Sequence, residues 1–361
     1  MEFGLFIPIA NNGWITSSTS PQYMPTFDLN RQIVQRAEKY GFTFALSMIK
    51  LRGYGGPTEH WDYALESFTL MAGLAAVTEE MRLYASVATP TLHPAMAARM
   101  AATIDSIAPG RFGINIVAGW NKSEYQQMGL WPGDEYYDLR YDYASEYVTI
   151  MRELWETGHS DFKGKFFTLD DCHCKPTPTA KIPIVSAGAS PRGRRFTAEH
   201  CDYNFTGSIT GPEGIAEVNR ALLEEAGKTG RDISSYLSYM VILGETDRDA
   251  QRKVDLYNAG LDTEAIGYMQ SQAALDTKSA GTSARMISRP TKAVSATAIV
   301  GSPATVAERF AELGSVPGTA GFMLNFDDFI EGVEVFGSEV MPLLAGHQDQ
   351  LNVCLFRRYN D

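Results

Sequence analysis

Eight short apolar segments recur along the chain, and each is followed by residues with the spacing of an amphipathic helix. Apolar runs of this length, bounded by turn residues, are typical of buried parallel strands. The predicted strands are 2–9, 42–48, 83–88, 112–118, 182–187, 203–205, 237–244 and 320–326. Eight strands that alternate with helices predict an α/β fold, the (β/α)8 TIM barrel. The 361 residues suffice for one such barrel, which we assign to residues 1–345 as a single domain.

Two segments lie outside this regular alternation. Residues 274–294 follow a predicted helix over 248–272 and are polar and rich in Ser, Thr and Gly. A connection of this length predicts a functional lid over the barrel mouth or a poorly ordered linker. Residues 346–361 form a polar C-terminal tail that either docks on a partner subunit or frays.

Charge and hydropathy exclude several partners. The net charge of −12 argues against a nucleic acid or an anionic membrane surface, because both require basic patches. No apolar run approaches the roughly 20 residues that span a bilayer. The N-terminal sequence MEFGLFIPIANNGW lacks a basic leader and already resembles a strand, so we expect a cytoplasmic protein.

Cysteine spacing predicts no metal site. The four cysteines are Cys172, Cys174, Cys201 and Cys354. Cys172-His173-Cys174 is too tightly spaced for a usual structural zinc site, and no second pair follows. Reduced thiols are the simpler interpretation, and they suit a cytosolic protein.

The fourth predicted strand, FGINIVA, carries one polar residue, Asn115. A buried amide costs on the order of 1–3 kcal/mol when unpaired, so Asn115 should have a partner. The following loop contains Trp120 and Glu124, and ligands of α/β folds bind where such loops leave the strands. Trp120 and Trp131 are either core residues or a stacking wall for a planar ligand.

Two further motifs each allow a structural and a functional interpretation. Gly188-Ala189-Ser190 precedes a helix, where free backbone N–H groups form a phosphate cradle, although short Gly-Ser turns are common. His93 precedes Pro94 after the third strand. It is either a general acid or base or a helix-start residue bonded to the backbone.

Long runs of the sequence resemble one family of enzymes. They include FIPIANNGW, FALSMIKLRG, ESFTLMAGLAAVT, GRFGINIVAGW, MGLWPGDEYYDLRYDY and LNFDDF. These runs resemble the RutA family of pyrimidine monooxygenases, which are bacterial luciferase-like, two-component flavin monooxygenases. The resemblance covers nearly the whole chain and is weaker between residues 207 and 300.

The resemblance implies a cofactor, a reaction and a set of site residues. It implies reduced FMN, supplied by a separate NADH-dependent flavin reductase, and O2 that reacts through a flavin peroxide to open uracil- or thymine-like rings at an amide bond. It also implies a homo-oligomer, either a dimer or a tetramer. The implied catalytic residues are Asn115 and Ser86, the latter where the family has Thr. The implied FMN-binding residues are Ile49, Lys50, Asn115, Glu124, Arg140, Tyr141 and Ser190, and the implied pocket walls are Leu46 and Trp120.

Three departures from the family pattern leave the substrate open. They are the helix start ASPRGRR, the segment TGSITGPEG and His93, which we place on the substrate side of the pocket. The alternatives are the same oxygen chemistry on another N-heterocycle, a sulfone, a sulfonate or another small molecule, and a flavin-binding protein without catalysis.

Overall fold

Eight parallel strands close into a barrel in this computed structural model, which describes residues 1–207, 209–276, 281–287 and 292–345. In chain order the strands of the described residues are β1 Glu2–Ile7, β2 Phe44–Ser47, β3 Arg82–Ala88, β4 Phe112–Val117, β5 His159–Ser160, β6 Cys172–His173, β7 Ile184–Ser186, β8 Tyr203–Thr206, β9 Ser234–Leu243, β10 Ile299–Gly301 and β11 Thr319–Phe326. Around the barrel the order is β1-β2-β3-β4-β7-β8-β9-β11, and β11 pairs with β1 to close it. All eight predicted barrel strands and the (β/α)8 fold are confirmed.

Helices cover the outside of the barrel. They are α1 Phe27–Lys39, α2 Ser67–Ala75, α3 Pro94–Ile107, α4 Lys122–Gln126, α5 Tyr136–Thr157, α6 Pro191–His200, α7 Gly211–Thr229, α8 Asp247–Ala259, α9 Thr263–Ala273, α10 Thr282–Ile287, α11 Pro303–Gly314 and α12 Phe329–Val335, which a π-helical turn, Phe336–Val340, continues. Prolines open α3, α6 and α11, where their missing N–H costs nothing. None of the described helices is both long and apolar enough to cross a membrane.

The prediction of one continuous helix over 248–272 was wrong. The helix ends at Gly260, and a new helix begins after Asp262, whose carboxylate accepts a hydrogen bond from the backbone N–H of Ala265. A Cβ on Gly260 would lie 2.7 Å from the backbone nitrogen of Thr19, so the corner allows the loop after β1 to pass close by. Asp262 also accepts hydrogen bonds from the backbone and hydroxyl of Thr58.

Three short strands had no counterpart among the predictions. β10 pairs in parallel with β9. β5 and β6 pair as an antiparallel ladder at the base of the long connection between α5 and β7, which is called the excursion below. Glu146 of α5 accepts hydrogen bonds from three consecutive backbone N–H groups of the excursion, at residues 165–167. Ladders of two residues carry too little sequence pattern to be predicted.

Side-chain alternation fixes what the barrel encloses. Large apolar side chains fill its interior: Phe44, Leu46, Tyr84, Val185, Phe205, Tyr236 and Met323. The Tyr84 ring fits because Gly113 lies beside it, where a Cβ would come within 2.3 Å of the ring. Two residues further along β3 and β4, Ser86 and Asn115 occupy the next inward position, towards the carboxyl ends of the strands.

The segment predicted as a lid lies only partly within the described residues. α10 falls inside it and packs on α9, whereas residues 277–280 and 288–291 lie outside the described part of the chain. Ala293 and Val294 are buried against Met240 and Ile242 of β9. The predicted tail, 346–361, also lies outside the described residues.

Candidate active site

A hydrogen-bonded pair joins neighbouring strands inside the barrel. The Nδ2 amide of Asn115 donates to Ser86 Oγ at 2.8 Å, and the Ser86 hydroxyl donates to the Ser47 carbonyl at 2.5 Å. The expected partner of the Asn115 amide is therefore Ser86. Asn115 is only 8% exposed, yet its Oδ1 has no hydrogen-bond partner among the described residues. A buried carbonyl oxygen costs on the order of 1–3 kcal/mol when unpaired, so this atom is available to a ligand donor.

Two further serines support this pair, Ser47 at the end of β2 and Ser67 in the helix layer. Ser67, the first residue of α2, accepts a hydrogen bond from the Ser86 backbone N–H at 2.8 Å. Its hydroxyl also lies 2.5 Å from Ser47 Oγ. The side chains of Ser47, Ser67, Ser86 and Asn115 are all buried. Hydrogen bonds that begin at Ser67 in the helix layer therefore hold the Asn115 amide in position.

A buried ion pair joins the ends of β2 and β4. Lys50 Nζ donates to Glu124 Oε1 at 2.5 Å and to the Tyr54 hydroxyl at 2.9 Å. Glu124 also accepts hydrogen bonds from the backbone N–H of Leu51 and from the Asn121 amide. Burial acts to lower the pKa of Lys50, but the Glu124 carboxylate and the Tyr54 hydroxyl together raise that pKa. Lys50 therefore stays charged next to the half-buried Ile49.

The turn before α6 has the geometry of an anion cradle. Ser190 caps the helix and accepts a hydrogen bond from the Gly193 N–H at 3.1 Å. The backbones of Gly188 and Gly193 are so close that a Cβ on Gly188 would lie 2.5 Å from the Gly193 carbonyl oxygen. A Cβ on Gly193 would lie 2.6 Å from the Tyr141 hydroxyl. The two glycines thus bring Tyr141 against the helix start, where the backbone dipoles favour an anion.

Arg140 lies beside this cradle and is paired with a carboxylate. Its Nη1 donates to Asp276 Oδ2 at 3.0 Å, and both side chains are largely buried, at 11% and 2% exposure. The Ser283 hydroxyl donates to the same carboxylate oxygen at 2.9 Å. Gly281 lies against the cradle itself, since a Cβ there would be 3.0 Å from the Ser190 nitrogen. The described part of the predicted lid therefore contacts the cradle directly.

A cavity of about 80 Å³ lies beside Arg140, Tyr141 and Gly188. It is lined by residues 116–120, Arg140, Tyr141, residues 186–188 and Ser283. Sites for drug-sized ligands have volumes of roughly 300–1,000 Å³, so a large planar ligand requires Ser283, which lines the cavity, to move outward. A larger hollow of about 370 Å³ opens near Tyr239 and Arg309, but none of the predicted site residues lines it.

The structure separates the remaining predicted residues. Trp120 lines the cavity, and Leu46 is buried in the barrel interior beneath the Ser86–Asn115 layer. Trp131 instead stacks on Tyr125 at 6.1 Å, within an aromatic cluster of the following loop. His93 caps α3, accepts a hydrogen bond from the Ala95 N–H through Nδ1 and packs on Phe167. Burial lowers the pKa of His93. Its contacts are those of a helix-start residue, and a role towards substrate stays a prediction.

Sequence reasoning missed three buried polar residues. Asp276 accepts a hydrogen bond from Arg140, which lies more than 130 residues away, and Ser283 donates to the same Asp276 carboxylate; no local pattern reveals these contacts. Asn325 of β11, like Asn115, is a buried amide on a barrel strand whose Oδ1 has no partner among the described residues. A signal for it was present, because Asn325 interrupts the apolar run TAGFMLNF as Asn115 interrupts its own strand.

Comparison with known proteins identifies the family. Residues 1–319 match the family model of the luciferase-like monooxygenases. A pyrimidine monooxygenase RutA from Bradyrhizobium sp. strain BTAi1 is 56% identical over 356 residues, which cover 97% of this chain and 99% of that one. Another RutA, from Enterobacter sp. strain 638, is 53% identical over 95% of this chain and 96% of that one. The chain belongs to the RutA family of luciferase-like monooxygenases.

Solved structures share the barrel fold of this chain. Riboflavin lyase RcaE, solved with modified FMN and riboflavin, superposes with a TM-score of 0.84 over 96% of this chain and 92% of that one, at 21% identity. At this identity the superposition shows the fold alone. Family membership makes the protein a flavin-dependent monooxygenase. The site suits a flavin for two reasons. The buried Asn115 Oδ1 has no hydrogen-bond donor among the described residues, and an anion cradle with Arg140 beside it can take a phosphate.

Proposed function

We propose that the protein is an FMNH2- and O2-dependent monooxygenase that opens uracil- or thymine-like pyrimidine rings by cleaving a ring amide. The observation that carries the proposal is Asn115, an amide buried beside Ser86 whose carbonyl oxygen has no partner in the described part of the chain. The names of relatives at 52–56% identity over nearly the whole chain support the pyrimidine as substrate class.

FMN binding is assigned to two ends of the site. Arg140, Tyr141 and Ser190 would hold the phosphate, because a guanidinium, a hydroxyl and a helix N-terminus are suitable donors. Lys50, Ile49 and Glu124 would bind the flavin at the ends of β2 and β4, where the buried ion pair keeps a fixed charge distribution. The reduced cofactor supplies the electrons that activate O2, and one oxygen atom enters the substrate.

The polar pair inside the barrel would organise the oxygen chemistry. Asn115 offers an amide N–H and a carbonyl oxygen. Leu46 in the barrel interior and Trp120 on the cavity lining would be the apolar walls that exclude water. In such a site a fixed donor to a developing negative charge is worth roughly 2.7–4 kcal/mol. The Ser86 proton is committed to the Ser47 carbonyl, so we assign Ser86 to orient the Asn115 amide.

Asp276 would hold Arg140 until a phosphate arrives. The pair is buried, so the guanidinium is not left uncompensated in the cofactor-free protein. A phosphate that takes over Arg140 would release Asp276 and Ser283 together, which would open the small cavity. Asp276, Gly281 and Ser283, in the described part of the predicted lid, would in this way move when the cofactor binds.

The test is product formation with a supplied reductase. Purified protein, FMN, NADH, a flavin reductase and a panel of pyrimidines, sulfones and sulfonates would be incubated in air, and products identified by mass spectrometry. We expect ring-opened product from uracil or thymine, dependent on both O2 and the reductase. Product only from a sulfone or sulfonate would reassign the substrate. Flavin binding without any product would favour a non-catalytic flavoprotein.

A further inference from the structure

The base of the excursion between α5 and β7 brings two histidines together. β5 and β6 pair so that His159 lies directly opposite His173. Opposed residues of an antiparallel ladder project from the same face, with Cβ atoms about 4.5–5.5 Å apart. Asp171 precedes β6 with a left-handed backbone, φ 47°, and its carboxylate lies between the two rings.

The distances among these groups match a metal coordination sphere. Asp171 Oδ1 lies 2.9 Å from His173 Nε2 and 3.2 Å from His159 Nε2. Asp161 Oδ2 lies 3.4 Å from His159 Nε2. Two ligand atoms that each lie about 2.0–2.1 Å from a tetrahedral Zn²⁺ are roughly 3.3 Å apart. One ligand atom from each of His159, Asp171 and His173 falls within 4.8 Å of the others.

The chemistry of the cluster favours a transition-metal cation. Imidazole and carboxylate together suit Zn²⁺ and its first-row neighbours. Three carboxylates lie at this base, those of Asp161, Asp170 and Asp171. The Asp170 carboxylate forms a long ion pair, in which its Oδ1 lies 4.0 Å from Lys163 Nζ. We propose that His159, Asp171 and His173 bind one Zn²⁺ ion, with Asp161 in reach as a fourth ligand.

This site differs from the Cys172-His173-Cys174 motif that the sequence suggested and that spacing argued against. Side chains alternate along β6, so Cys172 projects from the face opposite to His173. Cys174 is 1% exposed and packs in the main core. His173 therefore belongs to the metal site, and the two thiols do not.

The bound ion would fix the base of the excursion. The chain leaves α5 at Gly158 and returns where the Cys174 N–H donates to the Gly158 carbonyl. Between these points Phe167 packs on Tyr143, at 4.6 Å between ring centroids, and on the His93 ring at 5.7 Å. An ion that joins His159 to His173 closes this loop and holds its aromatic tip against α5 and the start of α3.

The experiment is a Zn²⁺ titration of the full chain, free of any polyhistidine tag and treated with chelator beforehand. Calorimetry should give one Zn²⁺ per chain, and saturating Zn²⁺ should raise the midpoint of thermal unfolding. His159→Ala and His173→Ala should each weaken binding at least tenfold, since loss of even a supporting group around a metal costs about 10–100-fold. Asp171→Asn, which keeps a residue that tolerates the left-handed backbone, should weaken binding as well.

Matched controls come from the neighbouring residues. Asp170→Asn removes an adjacent exposed carboxylate, and Cys172→Ser removes the adjacent thiol, so both should leave Zn²⁺ affinity unchanged. Circular dichroism would confirm that each variant is folded. Absence of saturable binding at millimolar Zn²⁺, unchanged affinity in both histidine variants, or loss of binding in Cys172→Ser would each overturn the proposal.

Discussion

Replacing Asp276 with Asn should tighten FMN binding, although the residue is not expected to touch the flavin ring. Arg140 donates to Asp276 at 3.0 Å, and the two side chains are 11% and 2% exposed. Loss of one partner of a fully buried pair costs about 3–5 kcal/mol. Asn keeps an oxygen acceptor, and Arg140 keeps some solvent contact. We therefore expect Asp276→Asn to cost the cofactor-free protein about 1.5–3 kcal/mol, the value of a hydrogen bond to a charged group.

This cost falls on the cofactor-free protein alone if the phosphate replaces the carboxylate. FMN affinity should therefore rise by roughly 10–100-fold, and the free energy of unfolding without FMN should fall by about the same 1.5–3 kcal/mol. Riboflavin lacks the phosphate, so its affinity should barely change. Quenching of flavin fluorescence gives both affinities, and urea unfolding gives the stability.

Two further variants sharpen the test. Asp142→Asn removes another carboxylate of α5, which pairs with Arg192 at a half-exposed site, and should change neither affinity. Arg140→Ala should weaken FMN binding by roughly 1.5–3 kcal/mol and abolish the effect of Asp276→Asn. Weaker FMN binding in Asp276→Asn, or equal changes for FMN and riboflavin, would refute the reasoning and make Asp276 a support of Arg140.

Three more outcomes are expected. Asn115→Leu should keep most FMN affinity but lower product yield at least about a hundredfold, with hydrogen peroxide released instead; coupled product formation in this variant would move the catalytic assignment elsewhere. Ser86→Thr should be near neutral and Ser86→Ala mildly uncoupled, as measured by product and peroxide per NADH consumed; equal uncoupling in both variants would argue against orientation by the hydroxyl. Burial, with Arg152 and Arg231 nearby, lowers the pKa of His200 to about 4. As the pH falls from 6.5 to 4, His200 takes up a proton in the unfolded state before it does so in the folded state, so the free energy of unfolding should fall by up to about 1.4 kcal/mol per pH unit. Urea unfolding of His200→Gln should show a smaller loss over this range. An unchanged pH dependence in this variant would assign the loss of stability to other groups.

The fold could be predicted from the sequence because each strand has its own local pattern of residues. Each barrel strand is an apolar run between turn residues, and Asn115 is conspicuous as the amide in one of them. The break at Gly260 was not accessible, because it depends on the approach of the loop that carries Thr19. The apolar spacing that predicts a helix continues through a glycine in the sequence. Only the approach of a distant segment shows that the helix ends there.

The site was accessible only in part, for the same physical reason. Ser190 and Gly188 form a turn with its own chemistry, and the resemblance to a known family supplied Lys50, Glu124 and Arg140. Sequence offered no means to pair Arg140 with Asp276, since the contact spans 136 positions and joins helix α5 to a residue outside any helix or strand. The two histidines of the proposed zinc site are likewise joined only by the pairing of strands too short to predict.

The serine chain through the barrel wall changes which positions deserve variation in an engineered library. Ser67 lies in the helix layer, away from the cavity lining, yet it holds both the Ser86 backbone and the Ser47 hydroxyl. A survey limited to residues that face the ligand would pass over it. Small shifts at Ser67 would tilt the Asn115 amide. Substitutions in the helix layer would therefore change the ratio of product to released hydrogen peroxide without touching the ligand.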